Sequence, residues 1–533
     1  MRKNALTSAV IAGVAGLAGV GSIADAVNLN PDGLGQVLIY PYYTTQGGNN
    51  TLISVVNTAS VGKAVKVRFL EGRNSREVLD FHLYLSRFDV WTGAIATTEE
   101  AGIGGDGAGL VTTDRSCTVP DIARGGLGAG AGQVVQLADG RYMVPFVNFG
   151  YSATYGVSDL GPGGLGRTRE GYIEVLEMAD IARPSTVNNW IEHVNGEPGN
   201  CARVNQAWFG PGNEFIANPN QDMVAPSGAG QLFGNFMIVN PARGTVAGGN
   251  ADALEGFSYR ILHQPPGDTN PGLDAVNDPL INPPGSATAN VFRRGQLISA
   301  SYDGSVQYGN VDAITALYMS PRVINEFYVE GGATSVVTGT SEWVINFPTK
   351  RYYVDQRPAL PNPPAANFVT AVRAPFVERF GADGSCMDVA ITIYDREERT
   401  ATSTGGGFSP RPPGPRPDAL CWEAQVVTFN QGANFTAGNP SDILGATYYK
   451  NVSTNYQNGW AFVQFAGNPA LRAATGGPNV GVVFQGLPVT GFFVANYDNA
   501  AAASGTLANY TSLFRHRTER QCTGGTGTGT ACS

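Results

Sequence analysis

Four groups of residues have types and spacings that could do chemistry. The segment DTNPGLD sets oxygen donors at Asp268, Asn270 and Asp274 around Gly272. Hard cations take such oxygen sets from turn-rich loops, which makes this a candidate calcium loop and calcium the one candidate cofactor. It departs from an EF-hand loop in having Gly272 and Leu273 at the fifth and sixth positions and Pro279 where a bidentate glutamate would stand. The segment IYPYYTT gathers Tyr40, Tyr42 and Tyr43, whose ring faces can stack on a sugar or on a partner protein. Glu174 and Glu177 in GYIEVLE are the best local pair for glycoside hydrolysis, which needs two carboxylates across one cleft. Three residues apart on a strand, they point to opposite faces, which weakens them as a pair. His82, His193, His263 and His516 are the available imidazoles, with His82 on the polar face of its strand and His193 in a helix beside Glu192.

The usual signatures of catalysis are missing. The sequence has no GxSxG elbow, HEXXH pair or Walker loop, and no dinucleotide fingerprint between a strand and a helix. Its glycine-rich runs therefore read as loops. The six cysteines, Cys117, Cys201, Cys386, Cys421, Cys522 and Cys532, show no CxxC spacing and read as disulfides. Cys522 and Cys532 enclose the run TGGTGTGTA, which cannot order itself; closing about ten residues removes about 2–3 kcal/mol of unfolded-state entropy. The pairing of the other four stays open.

Strands must position these groups. Val65, Val67 and Phe69 alternate with Lys66 and Arg68, the period of a half-buried strand. Leu79, Phe81, Leu83 and Leu85 alternate likewise with Asp80, His82 and Tyr84. TLISVVN, MVPFVNF, GYIEVLE, NFMIVN, EWVINF, MDVAITIY, EAQVVTF and GFFVANY repeat the pattern. The expected fold is mainly β: antiparallel sandwiches, immunoglobulin-like in style, with long Gly/Pro-rich loops and a few short helical insertions. Val-Asn closes three strands, at Asn57, Asn148 and Asn240, as turn chemistry favours. Ser185 can cap a helix carrying Val187, Trp190, Ile191 and Val194 on one face, and a second helix is expected from Cys201 to Trp208. Ser320-Pro321 offers a cap and a first-turn proline for a third, reaching about Val329.

The organisation expected is a signal peptide over 1–26, an N-terminal sandwich-like domain over 27–225 with its helical insertion near 185–208, and a C-terminal β-rich domain over 226–533. The signal rests on Arg2 and Lys3, an apolar stretch from Ala9 to Ile23, and Ala24-Asp25-Ala26 before the cut. The second domain carries the proline-rich loop 405–417 and the disulfide-closed tail.

The chain has 533 residues, 42% apolar, which is enough for such cores. A net charge of −9 argues against nucleic acid as a partner, because there is no basic excess to displace phosphate counterions. No later segment reads as a membrane helix. Charged residues make up only 14%, and 70 residues are glycine, a composition suited to lateral packing of sheets. The expectation is an exported, non-catalytic protein of the cell surface or extracellular space, or of the periplasm, that assembles with copies of itself as a surface layer, sheath or fibre. The alternative is a secreted carbohydrate-binding protein or polysaccharide hydrolase, whose partner would be a glycan or another cell-surface protein.

Overall fold

The computed structural model describes residues 26–126, 134–268, 271–276, 286–304, 309–331, 336–355, 371–404, 418–430, 441–499, 508–525 and 532. Residues 1–25 of the expected signal, Asn270 and the proline-rich loop 405–417 lie outside them. The fold is mainly β, 46% strand against 11% helix, and four large sheets pack in two pairs.

A ten-stranded first sheet is centred on Val37–Thr44, Glu170–Ile181, Gly62–Glu71 and Glu77–Leu85, in that spatial order. The strand Ala26–Leu29 enters it between Asp252–Glu255 and Ser286–Arg293. An eight-stranded second sheet runs through Thr245–Asn250, Asn235–Asn240, Asn50–Asn57, Val90–Thr97 and Ala108–Thr112. The two stack face to face. Phe81 meets Trp91 with ring centroids 5.4 Å apart, and Phe69 meets Phe146 at 5.0 Å. The apolar set Val65, Val67 and Phe69 is thus turned to this core, as the alternation predicts. Strand pairing crosses the break expected at residue 225, since Asn235–Asn240 pairs with Asn50–Asn57 and Asp252–Glu255 with Val37–Thr44.

The second pair of sheets follows Asp303. A third sheet orders Thr400–Thr404, Met387–Asp395, Asn458–Phe465, Arg322–Tyr328 and Arg517–Thr518. A fourth orders Tyr449–Ser453, Ala424–Asn430, Val337–Asn346, Thr490–Asn499 and Asn509–Arg515. Phe327 stacks on Phe429 at 5.4 Å, and the Trp343 indole donates to the Glu326 carbonyl at 2.8 Å, joining the two sheets.

Three expectations about helices resolve differently. The Ser185 hydroxyl accepts from the Asn188 N–H at 3.0 Å and caps Thr186–Ile191. That helix stops before His193 and Val194, which instead form a two-residue strand with Glu197–Pro198, leaving Val194 exposed. The helix Cys201–Phe209 is present. Ser320-Pro321 opens no helix: Arg322–Tyr328 is a strand paired along its length with Asn458–Phe465. The run VINEFY is β-branched and aromatic and finds a partner strand, which outweighs a local cap signal. Ser320 donates its hydroxyl to the Arg322 carbonyl and accepts from the Glu519 N–H.

The Val-Asn strand ends behave as turns. The Asn57 side-chain oxygen accepts from the Ala59 N–H at 2.9 Å, and that of Asn240 from the Arg243 N–H at 3.1 Å. Three disulfides brace the fold: Cys117–Cys201, Cys386–Cys421 and the expected Cys522–Cys532.

Candidate functional site

The tyrosines of IYPYYTT do not form a contact surface. Tyr40, Tyr42 and Tyr43 are fully buried, and their hydroxyls donate to the Ser54 carbonyl, the Glu170 carboxylate and the Thr168 carbonyl at 2.6, 2.7 and 3.0 Å. Glu174 and Glu177 do lie on opposite faces, and each is buried against its own cation. Arg68 holds Glu174 at 2.9 Å, while Lys63 bonds Glu177. They form no shared acid–base cleft.

Lys66, Arg68 and His82, expected on the solvent side of half-buried strands, belong to the interior, with Asp80 half-buried beside them. Asp268, Gly272 and Asp274, with Tyr352 of the one-turn helix Arg351–Val354, lie over that face of the first sheet. Lys66 bonds Asp80 at 2.7 Å and also donates to the Asp268 carbonyl. Arg68 bridges Glu77 at 2.7 Å and Glu174. Burial pushes the Glu174 carboxyl up despite Arg68, and pushes Asp80 up to about 6 against the pull of Lys66. Burial opposes ionisation of Glu77 too, but Arg68 and Lys66 together hold it below the usual range. Asp274 reaches this cluster: burial raises its carboxyl, and Arg351 and Arg68 oppose that. Asp274 thus shares its surroundings with two guanidiniums, while Asn270, the middle donor of the candidate calcium loop, lies outside the described residues. Gly272 lies close under these groups: a Cβ there would sit 2.8 Å from Asp274 Oδ1 and 2.9 Å from Arg68 Nη1, and those side-chain ends would have to shift to admit it.

His82 has both ring nitrogens without a partner among the described residues, and burial lowers its pKa well below the ordinary imidazole value. His263 accepts from the Tyr84 hydroxyl at 2.8 Å through Nε2, and its Nδ1 donates to the Pro219 carbonyl. Trp208 in turn donates to the Tyr84 oxygen at 2.8 Å, so a hydrogen-bonded chain pins the helix Cys201–Phe209 to the sheet.

A second buried ion cluster sits in the turn that follows Gly62–Glu71. In EGRNSR the Glu71 carboxylate accepts from the N–H groups of Arg73, Asn74 and Arg76 at 2.8 to 2.9 Å. Arg167 closes on it with two bonds, at 2.7 and 2.9 Å, and also pairs with Asp159. The turn is buried against the second pair of sheets: the Ala424 N–H donates to the Gly72 carbonyl, Arg76 pairs with Asp355 at 2.6 Å, and Arg73 lies 4.1 Å over the Trp422 ring.

The second sheet presents the opposite arrangement. Thr245–Asn250, Asn235–Asn240, Asn50–Asn57 and Val90–Thr97 are consecutive neighbours, and none carries an ionisable residue. Phe236, Ile238, Ile53, Val55, Trp91 and Ile95 fill the core side. On the outer side Leu52 sits opposite Met237, Val239 opposite Val246, and Val56 opposite Val90. Leu52, Met237, Val246 and Val90 are 36, 45, 50 and 48% exposed. Farther along the same face the protein supplies its own cover, with Ala101 and Ile103 packed on Val111, Leu137 and Met143. The covered half is closed by a loop, and the other half is bare among the described residues.

No family model, curated protein or solved structure matches this chain. The reading of the bare face therefore rests on its own geometry. Among the described residues no group of three or more His, Cys, Asp and Glu side chains is arranged to hold a metal ion.

Proposed function

We propose that this chain is an exported, non-catalytic structural protein of the cell surface or extracellular space, and that it associates with copies of itself through the bare half of the second sheet. The observation that carries this reading is an apolar, uncharged sheet face left open beside a half that the protein covers itself. Contiguous exposed apolar patches mark interaction surfaces. The occupant favoured here is a second copy. The net charge of −9 makes copies repel, and screening confines that repulsion to about 8 Å at physiological salt. A face without charges is where two copies approach at least cost, and burying it gains about 25 cal/mol per Å² of apolar surface. Such a self-complementary contact closes as a two-fold dimer, so a layer or fibre needs a second contact elsewhere.

Export is supported by the three disulfides, which are compatible with an oxidising compartment. No helix among the described residues is long and apolar enough to cross a membrane.

Light scattering across a concentration series tests the proposal. The protein is expected to be dimeric or larger in the range of about 1–10 mg/ml, and Met237→Lys with Val246→Lys to return it to a monomer with an unchanged melting temperature. A wild-type monomer throughout that range, or lysine variants that associate like the wild type, would remove the reading.

A further inference from the structure

The third sheet carries a feature that self-association does not use. Asn458–Phe465 alternates strictly: Ala461, Val463 and Phe465 face the core, and Trp460, Phe462 and Gln464 face outward. Tyr394, directly opposite Trp460 on the neighbouring strand, stacks on it at 4.6 Å with ring planes 11° apart. Phe462 continues the row 6.1 Å from Trp460, and the Arg322 guanidinium lies 5.2 Å over its ring. Trp460 remains 42% exposed.

The row ends at a cavity of about 240 Å³. Its polar walls come from Arg322, Gln464, Asn468, Gln485, Glu519 and Gln521. Four parts of the chain build it: the paired strands Arg322–Tyr328 and Asn458–Phe465, the turn around Asn468, the segment of Gln485 and Gly486, and the C-terminal segment that contributes Glu519 and Gln521. That segment is fixed. Arg520 donates to the carbonyls of Met319 and Leu317, and the Gln485 N–H donates to the Gln521 carbonyl.

We infer that this cavity and its aromatic approach form a binding site for a neutral oligosaccharide. Four carboxamides supply donors and acceptors side by side, which suits hydroxyl groups that both give and take hydrogen bonds. The charged pair in the wall is internally neutralised, with Arg322 Nε 2.8 Å from Glu519 Oε2, so nothing is left over to select an anion. The exposed indole offers an apolar surface to the C–H face of a sugar unit outside the cavity. Glu519 is the cavity's one carboxylate among the described lining residues, so the site binds without the facing acid and base of a glycosidase.

The test is calorimetric titration of the oxidised protein with cellohexaose, mannohexaose, xylohexaose and chitohexaose, beside an alginate hexamer as the anionic probe. At least one neutral hexamer is expected to bind with a dissociation constant below about 1 mM. Trp460→Ala should weaken it about tenfold, as should the double variant Gln464→Ala, Gln521→Ala. The double variant touches only exposed side chains and decides the matter if loss of the Tyr394 stack unfolds the sheet. The site is overturned if no neutral hexamer binds, if only alginate binds, or if the folded double variant binds as the wild type does. Oligomeric state is read separately, so either result leaves the self-association test standing.

Discussion

The outer faces of the first and second sheets invert the usual rule. The first carries Lys66, Arg68 and Glu174 and is buried; the second carries Leu52, Met237 and Val246 and is exposed. Both are the far sides of one sandwich. The difference lies in what the chain places over each. Charges can go inside the first because neighbouring strands supply the opposite charges, Asp80 to Lys66 and Glu77 and Glu174 to Arg68, and the covering segment adds the Asp268 carbonyl, so that each ion gains a partner as it loses water. The second needs no such pairing, and half of it receives no cover from the described residues. Burial in this molecule is therefore set by which segment returns to which face, and not by the polarity of the strand alone.

The largest effect should come from breaking the buried ion cluster around Arg167. Arg167→Ala leaves Glu71 and Asp159 buried without their guanidinium, and is expected to cost about 3–5 kcal/mol in urea unfolding. Arg141→Ala, which breaks a pair with Asp139 at the exposed surface, should leave the midpoint where it is. If the two variants are equally stable, the buried pairs of Arg167 contribute no more than an exposed one.

The pH dependence follows from the same burial. Burial holds His263 and His516 down to about 4, partly opposed by the Pro219 and Val344 carbonyls, and holds His82 well below the ordinary imidazole value. An unfolded imidazole titrates near 6.5, so below that pH the unfolded chain binds protons that the folded chain refuses. Stability is then lost as pH falls from about 6.5 towards 4, by about 3 kcal/mol for His263 alone. The carboxyls act in the other direction. Burial raises Glu423 to about 8, against the pull of Lys350, and Glu342 to about 7. Their folded forms keep protons that the unfolded chain has released, so stability is lost as pH rises from about 4.5 towards 8. The urea midpoint should peak between about pH 4.5 and 6.5, and His263→Gln should flatten the acid limb. An unchanged acid limb in that variant would assign the loss to other groups.

Much of this comparison was legible in one direction only. Alternation in KAVKVRF separates Val65, Val67 and Phe69 from Lys66 and Arg68, and the core side is where it should be. Alternation defines two faces, however, and says nothing of what lies beyond the second. Asp268 and Tyr352 reach Lys66 and Arg68 across 200 or more residues, and no local pattern encodes that return. Local signals succeeded where the structure is local: the Ser185 cap, the Asn57 and Asn240 turns, and the Cys522–Cys532 loop. They failed at Ser320-Pro321, where a partner strand overrode a cap. The aromatic row was open to reading, since NGWAFVQF alternates as cleanly as any strand in the chain. Its cavity was not, because Gln485 and Gln521 come from separate segments.

The smallest stability change sharpens the comparison within the second sheet itself. Ile103 covers Val111 and Met143 on the half that the protein closes, while Leu52 and Met237 have no such cover from the described residues. Ile103→Ser removes a half-buried side chain and should cost about 1 kcal/mol, less than the 1.5–3 expected for a fully buried one. Its second consequence matters more. Uncovering Val111 and Met143 extends the bare apolar face, so the variant should associate at lower concentration than the wild type even though each copy is less stable. An equal loss of stability with unchanged association would mean that the loop only caps the sheet, and that the boundary between covered and bare halves does not limit the contact between copies.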